Sequence, residues 1–182
     1  DDEYADEVMI EAFNEYKDYI SGRPTVNGGT YYVDMLPTTC HVYFGDVMIA
    51  DAGGRRAHAA GRRYFPTKGG DTNGPTSVVT SCAKMDQRHT GGCLLNQKFT
   101  PAALAGQKGI DNLAALIRSY FEMWGHHLQF NVISRETLID AQKNPEEYKD
   151  LIVRVAGYSD YFNNLDPKLQ NEIIERTEQE FA

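Results

Sequence analysis

The sequence is poor in the features that mark several protein classes. It has three cysteines among 182 residues, an odd number with no Cys-x-x-Cys pair, so we expect no disulfide framework of the secreted kind. No hydrophobic run reaches the ~20 residues of a membrane helix. Basic residues number 18 against 26 acidic ones, a net charge of −8, whereas nucleic-acid surfaces carry clustered positive charge. These absences favour a cytoplasmic globular protein with neither nucleic acid nor a membrane as partner.

Motifs for nucleotides and metals are also missing. The sequence contains no P-loop, no dinucleotide fingerprint and no His-Glu-x-x-His zinc motif. His126 and His127 are adjacent, and neighbours on a strand point to opposite faces, so the two cannot easily share a metal; Cys40 and His41 have the same difficulty. Residues 71–75, "DTNGP", resemble the start of a calcium loop without its later acidic ligands. A turn or a backbone anion cradle explains that segment, and we expect no metal site.

Apolar residues at helical or alternating spacing predict an α/β chain. Helices are predicted at 2–20, 76–86, 109–124 and 134–143, with two more beginning at Thr100-Pro101 and Asp166-Pro167. Strands are predicted at 30–36, 41–49, 92–99 and 127–133, and the glycine-rich segment 51–75 is expected to be a loop.

Three of these segments have an apolar stripe that we expect to be buried. The stripes consist of Tyr4, Val8, Phe13, Tyr16 and Ile20; of Ile110, Leu113, Ile117, Phe121 and Trp124; and of Leu128, Phe130 and Val132.

Gly157 stands out in "RVAGYSDYF", residues 154–162. The apolar run 151–153 leads into it, and no Asn-Gly, Asp-Gly or Pro-Gly pair marks a hairpin turn nearby. A positive φ or a close backbone contact is the ordinary explanation of a glycine in such a place. A hairpin turn is the weaker explanation.

"RVAGYSDYF" also resembles the signature of glycyl radical enzymes, Arg-Val-x-Gly-Tyr followed by a nearby Phe. Four further segments resemble, in the same order, the C-terminal region of the glycyl radical dehydratases and decarboxylases: 71–79 "DTNGPTSVV", 91–101 "GGCLLNQKFTP", 125–134 "GHHLQFNVIS" and 176–181 "RTEQEF". The resemblance covers nearly the whole chain. Within the superfamily, the segments "DDEYADEVM", "GRPTVNGG", "VDMLPTTCHVYFG" and "YSDYFNNL" most resemble the dehydratases that act on trans-4-hydroxy-L-proline.

The resemblance implies a fold and a division of the chain. The expected fold is α/β, the C-terminal part of a β/α barrel with the glycyl radical loop inserted toward the barrel centre. Residues 1–54 would end a pyruvate formate-lyase-like barrel domain, and residues 55–182 would form the glycine radical domain. Because the chain does not begin with Met, its start is expected to be a cut through a longer protein.

The resemblance also implies a radical mechanism. A partner enzyme using S-adenosylmethionine and an iron–sulfur cluster removes one hydrogen from Gly157, so no dissociable cofactor is needed. The radical takes hydrogen from a cysteine thiol, and the thiyl abstracts hydrogen from the ring carbon next to nitrogen. Hydroxyl leaves as water with help from a glutamate, giving pyrroline-5-carboxylate, and the thiol returns its hydrogen. A glycine suits the radical because, without a Cβ, its α-carbon can flatten freely.

Several residues receive roles from the same resemblance. Arg154, Val155, Tyr158 and Phe162 would support the radical loop, in a dry, packed setting. Thr38 matches a position that contacts substrate and could bind its carboxylate, although a hydroxyl satisfied by nearby backbone explains it equally well.

The chain also departs from the family pattern. The Gly-Cys-Val-Glu type loop with the thiyl cysteine and the glutamate is absent, and Cys40, Cys82 and Cys93 are interpreted as structural thiols. Expected partners are therefore the activating enzyme, an N-terminal barrel portion carrying that loop, and a small-molecule substrate; a homodimer is compatible with the resemblance. Residues 55–66, "RRAHAAGRRYFP", replace a related "VSEGISP"-like stretch.

Other functions stay open at this point. The chain could be a complementation module that restores the radical glycine of a damaged enzyme. It could belong to a diol or glycerol dehydratase, or to a decarboxylase, of the same superfamily. A non-catalytic fragment is a further alternative, and the altered segment 55–66 is its main support.

Overall fold

The computed structural model describes residues 2–36, 39–48 and 70–181. The helices are α1 (Glu3–Ile20), α2 (Cys40–Val47), α3 (Gly74–Ala83), α4 (Gly106–Glu122), α5 (Arg135–Lys143) and α6 (Pro167–Ile174). The strands are β1 (Leu94–Phe99), β2 (His127–Val132), β3 (Ile152–Arg154), β4 (Ser159–Tyr161) and β5 (Glu178–Gln179). Among these residues, no helix combines the length and apolar character needed to cross a membrane.

The strands form one parallel sheet and one hairpin. In the sheet β1 is central, and both β2 and β5 pair with it in parallel, in the order β2-β1-β5. Helix α4 connects β1 to β2, as expected because parallel neighbours need a crossover connection. Strands β3 and β4 pair antiparallel, with Arg154 opposite Ser159. The predicted α/β class is therefore confirmed as a mixed α/β arrangement.

Two hydrophobic clusters make up the core. The first surrounds β1 and includes Phe13, Val79, Leu95, Phe99 and Tyr120. The second joins α5, the hairpin and α6 and includes Leu138, Val153, Val155, Phe162 and Ile173. Strand β2 packs its half-buried Leu128 and Phe130 against the first cluster, so the hairpin and the sheet belong to different clusters.

Polar caps fix several helix starts as the sequence indicates. Ser134 accepts a hydrogen bond from the Thr137 amide at 3.2 Å at the start of α5, and Asp166 accepts one from the Lys168 amide at 2.8 Å at the start of α6. Such side chains satisfy amides that have no partner within the helix. Both predicted starts are confirmed.

Some predicted elements are wrong. Residues 40–47 form a helix whose Val42 is buried in the second cluster, although their β-branched and aromatic residues favour a strand; tertiary packing overrides that weak preference. Thr100-Pro101 begins a turn in which the Ala103 amide donates to Thr100 Oγ1 at 3.2 Å, and the helix begins only at Gly106. Segment 30–36 is extended, with one isolated bridge at Thr30 and another at Met35.

The apolar stripes are buried less than predicted. Of the α1 stripe, Phe13 is buried, whereas Tyr4 is 77% exposed. On α4 the buried side chains are Leu116 and Tyr120, and Trp124 at the end of the predicted stripe is 61% exposed. The predicted loop 51–75 lies outside the described residues as far as residue 69.

Candidate functional site

Gly157 lies in the turn that joins β3 to β4. The Val155 amide donates to the Tyr158 carbonyl at 2.9 Å across the turn, and Gly157 adopts φ +77°. This is the left-handed region, which residues with a Cβ rarely adopt. The expectation that a hairpin turn is the weaker explanation of Gly157 is wrong, because an Ala-Gly pair supplies the required conformation without an Asn-Gly or Asp-Gly signal.

The turn also lies against the sheet. A Cβ built on Gly157 would stand 3.2 Å from Leu94 Cδ1, at the start of the central strand β1. Gly157 itself is exposed among the described residues. Positive φ and close approach, the two ordinary explanations of this glycine, therefore apply together.

The Arg154 side chain spans the turn. Its Nη2 donates to the Gly157 carbonyl oxygen at 3.2 Å, and its Nη1 donates to Ser159 Oγ at 3.3 Å. Its Nε donates to the side-chain oxygen of Gln129 on β2. The guanidinium thus connects the Gly157 carbonyl to β4 and to the parallel sheet.

The polar face of β2 lies toward the hairpin. Asn131 Nδ2 donates to the Arg154 carbonyl at 2.8 Å, and the Arg154 amide donates to Asn131 Oδ1 at 2.7 Å. Asn131 and Gln129 are buried, whereas Val132 on the predicted core face is 49% exposed. The alternation along this strand is as predicted, but the polar face is the better covered one.

Of the two adjacent histidines considered above, His127 begins strand β2 and His126 directly precedes it. Burial first, and then the nearby Arg154 charge, lower the pKa of His127, which favours a neutral imidazole. Within the described ranges, no group of three or more His, Cys, Asp or Glu side chains could hold a metal ion.

A buried ion pair supports the hairpin from the side of α6. Arg176 Nη1 donates to the Arg154 carbonyl at 3.0 Å, and Nη2 donates to the Val155 carbonyl at 2.7 Å. Nη2 is also 3.0 Å from Glu172 Oε2. Arg176 and Glu172 are both buried. The sequence reasoning gave no role to either residue or to Asn131.

The residues predicted to support Gly157 take different positions. Val155 and Phe162 are fully buried beneath the hairpin, whereas Tyr158 is 43% exposed. Burial first, and then the Asp160 charge, raise the pKa of the Tyr158 phenol, whose hydroxyl also contacts the Thr39 side chain. Thr38 and segment 55–66 lie outside the described residues.

All three cysteines are free thiols. Cys40 is exposed, whereas Cys82 and Cys93 are buried. The contact with Cys82, and then burial, raise the pKa of Cys93 well above its usual value. Cys93 is therefore a neutral thiol packed in the first cluster.

Comparisons with known proteins place this geometry in a family. Residues 61–163, which include Gly157, match the family described as Glycine radical, and residues 1–45 match the family described as Pyruvate formate lyase-like. All of the chain aligns with trans-4-hydroxy-L-proline dehydratase of Clostridioides difficile at 62% identity over 182 residues.

Solved structures agree with the sequence matches. The crystal structure of hydroxyproline dehydratase from Clostridioides difficile with trans-4-hydroxy-L-proline bound superposes on 99% of this chain with a TM-score of 0.94 and 61% identity. The glycerol-bound, B12-independent glycerol dehydratase of Clostridium butyricum covers 97% of the chain with a TM-score of 0.91 and 43% identity. The chain spans 23% of the length of each of these relatives. The chain belongs to the glycyl radical enzyme family, and its mixed α/β structure matches the C-terminal part of those enzymes.

Proposed function

We propose that this chain is the radical-bearing C-terminal portion of a glycyl radical dehydratase that acts on trans-4-hydroxy-L-proline. The observation that carries the proposal is Gly157, which lies at an exposed hairpin turn with φ +77° and inside the range matched to the Glycine radical family. The 62% identity to a relative of that name supports the substrate. The 61% identity to a structure holding the same substrate supports it as well.

The radical would be stored on the Gly157 α-carbon after an activating enzyme removes one hydrogen atom. Gly157 is exposed in the described part of the chain, so a partner protein can approach its α-carbon. Without a Cβ the carbon can become planar, and its unpaired electron is then shared between the amide nitrogen and the carbonyl. Arg154 is placed to support that state, because its guanidinium donates to the Gly157 carbonyl at 3.2 Å.

The remaining steps need groups supplied by the rest of the enzyme. A cysteine there would give its thiol hydrogen to Gly157 and then take hydrogen from the ring carbon next to nitrogen. Loss of hydroxyl as water gives pyrroline-5-carboxylate, and the thiol returns its hydrogen to the ring. Thr38 is proposed to contact the substrate carboxylate.

The fold proposal is finer than the mixed α/β class. Residues 1–54 would end the barrel, residues 55–182 would form the radical domain, and the Gly157 turn would enter the barrel centre. The whole enzyme is proposed to be cytoplasmic.

Electron paramagnetic resonance tests the radical assignment. The chain is incubated anaerobically with the activating enzyme, with and without the N-terminal portion, and a glycine-centred doublet is expected. Gly157→Ala should remove the doublet, and Gly22→Ala, at an exposed turn with φ +78°, should retain it. Air exposure of activated protein should cut the backbone at Gly157. No doublet under either condition would contradict the radical role.

Substrate and assembly are tested separately. The full-length enzyme should dehydrate trans-4-hydroxy-L-proline, and a preference for propane-1,2-diol or glycerol would contradict the substrate assignment. Restored radical formation when the separate chain is added to an enzyme whose own radical glycine is destroyed would instead favour a complementation module.

A further inference from the structure

We propose that Asn131, Glu172 and Arg176 are positioning residues that hold β3, and with it the Gly157 α-carbon, in one place. We call these three residues the hairpin anchor. The catalytic consequence rests on the proposed function, whereas the structural part depends only on the contacts described below.

The anchor binds main-chain atoms of the hairpin. The Asn131 amide pairs with both the N–H and the C=O of Arg154, at 2.7 and 2.8 Å, as a neighbouring strand would. Arg176 donates to the Arg154 carbonyl at 3.0 Å and to the Val155 carbonyl at 2.7 Å. The Arg154 carbonyl therefore accepts two hydrogen bonds, and the peptide plane two residues before Gly157 is held from two sides.

Burial makes loss of these hydrogen bonds unfavourable. Asn131 is 7% exposed, Arg176 7% and Glu172 8%. A buried amide or guanidinium that loses its partner is left without water to replace it, so displacement of β3 is unfavourable. Glu172 Oε2, 3.0 Å from Arg176 Nη2, compensates the buried charge and orients the guanidinium toward the hairpin.

The anchor also connects the two hydrophobic clusters. Asn131 belongs to β2, whose Phe130 packs on the first cluster, and Glu172 belongs to α6, whose Ile173 lies in the second. The hairpin is thus fixed with reference to both clusters, and its turn meets Leu94 at the start of β1. Hydrogen transfer to a donor outside this chain depends on that placement, because a displacement of about 1 Å can cost a roughly 100-fold loss of rate.

Amide hydrogen exchange tests the structural part in the full-length protein before activation. Arg176→Lys keeps a cation beside Glu172 but cannot reach both carbonyls, and Asn131→Leu keeps the branched shape of the side chain and removes both hydrogen bonds. Each variant should exchange the amides of Arg154 and Val155 about tenfold faster than the parent, since local opening becomes easier. Lys17→Met is the control: it removes the ion pair in which Lys17 Nζ lies 3.0 Å from Asp86 Oδ2. It should leave the exchange rates of the Arg154 and Val155 amides unchanged.

Turnover per radical tests the catalytic part. After activation, kcat divided by the radical content from electron paramagnetic resonance should fall about 10- to 100-fold in Arg176→Lys and Asn131→Leu. KM should stay within about twofold, because the anchor side chains are buried and bind the hairpin main chain. A variant that only lost stability would contain less radical but keep the parent rate per radical, as expected for Lys17→Met.

The outcomes separate the anchor from the proposed function. If the parent gives no doublet, the proposed function fails while the exchange data still decide the anchor. The structural part would be overturned if the amides of Arg154 and Val155 exchanged in both variants at the same rate as in the parent. The catalytic part would be overturned if these amides exchanged faster while the turnover rate per radical stayed unchanged. If Arg176→Lys does not fold, Asn131→Leu and the paired Glu172→Met, Arg176→Met variant, which removes both members of the ion pair, give the same readings.

Discussion

The guanidinium of Arg154 donates a hydrogen bond of 3.2 Å from Nη2 to the carbonyl oxygen of Gly157. Its Nε donates to Gln129 on β2 and its Nη1 donates to Ser159 on β4, so the guanidinium is held in a fixed orientation. A carbonyl that shares an unpaired electron gains partial negative charge on oxygen, and a charged donor stabilises that charge.

The first prediction concerns this contact. Arg154→Met should lower the radical content after activation roughly fivefold, because a stabilising contact of about 1 kcal/mol is lost. The α-hydrogen splitting of the doublet should change as well, because less spin is shared with the carbonyl. Electron paramagnetic resonance measures both effects, the radical content from the integrated intensity and the splitting from the line shape.

Ser159→Ala is the matched control for Arg154→Met. It removes the 3.3 Å contact of the guanidinium with Ser159 Oγ and leaves the bond to the Gly157 carbonyl in place. The radical content and the splitting should equal those of the parent. Equal loss in both variants would mean that the guanidinium acts through the hairpin as a whole.

The second prediction concerns the conformation of Gly157. Gly157→Ala should lower the free energy of unfolding by about 1–2 kcal/mol, because φ +77° is unfavourable for a residue with a Cβ. The added methyl group would also stand 3.2 Å from Leu94 Cδ1, and the leucine side chain must move slightly. Urea unfolding followed by circular dichroism measures the change.

Gly22→Ala separates the two contributions to this loss. Gly22 adopts φ +78°, and apart from its two chain neighbours no atom of the described residues lies within 4 Å of the position of its Cβ. Its substitution therefore reports the backbone cost alone. If Gly157→Ala costs more, the addition of Leu94→Ala should reduce the excess, and an unchanged excess would contradict the role given to Leu94.

Local signals in the sequence predict two of the helix starts and two strands of the parallel sheet. Ser134 and Asp166 identify their helices because capping depends on nearby residues. The strand at 127–132 follows from its apolar alternation, and the strand at 94–99 lies within the predicted segment 92–99. The helix α2 is missed because burial of Val42 in the second cluster, a long-range contact, decides its conformation.

The anchor could not be predicted for a related reason. Alternation along β2 separates Asn131 from Phe130, but only the folded hairpin shows that the polar side is covered. The spacing of Glu172 and Arg176 is that of a helical ion pair; their burial against residues 154 and 155 comes from distant parts of the chain. Periodicity identifies faces and gives no information on which partner covers them.

The third prediction concerns stability at low pH. Partial burial disfavours the charged form of Asp86, but hydrogen bonds from Lys17 and His89 outweigh it and lower the pKa from 3.8 to about 2. A pKa that is lower in the folded state stabilises above the unfolded value. The contribution, about 2 kcal/mol, should be complete above about pH 5 and disappear as the pH falls to about 2.

Unfolding of the Asp86→Asn variant tests this dependence. Relative to the parent, its free energy of unfolding should be about 2 kcal/mol lower at neutral pH, and the difference should shrink below about pH 4. Glu146→Gln is the control, because Glu146 forms an ion pair with Lys149 that is largely exposed and should change stability little at any pH. A difference between Asp86→Asn and the parent that stays constant from pH 7 to 3 would contradict the assignment.

A buried polar network leads to the fourth prediction. The Tyr120 hydroxyl contacts Cys82 Sγ at 3.3 Å and donates to Gln87 Oε1 at 3.3 Å. Gln87 Oε1 also accepts from the His126 amide at 2.9 Å, and Gln87 Nε2 donates to the Cys82 carbonyl at 2.8 Å. Gln87, which is 4% exposed, therefore satisfies two main-chain groups, the buried Cys82 carbonyl and the partly buried His126 amide, whereas the tyrosine hydroxyl adds a weaker third contact.

Substitutions at these two positions should therefore differ in cost. Tyr120→Phe should lower the free energy of unfolding by about 1 kcal/mol, because Gln87 retains its bond to the His126 amide. Gln87→Leu should cost about 3 kcal/mol, since the His126 amide and the Cys82 carbonyl both lose a buried partner. Urea unfolding of both variants measures the order. A larger loss from Tyr120→Phe would mean that the tyrosine hydroxyl, rather than the Gln87 amide, contributes most of the stability of this network.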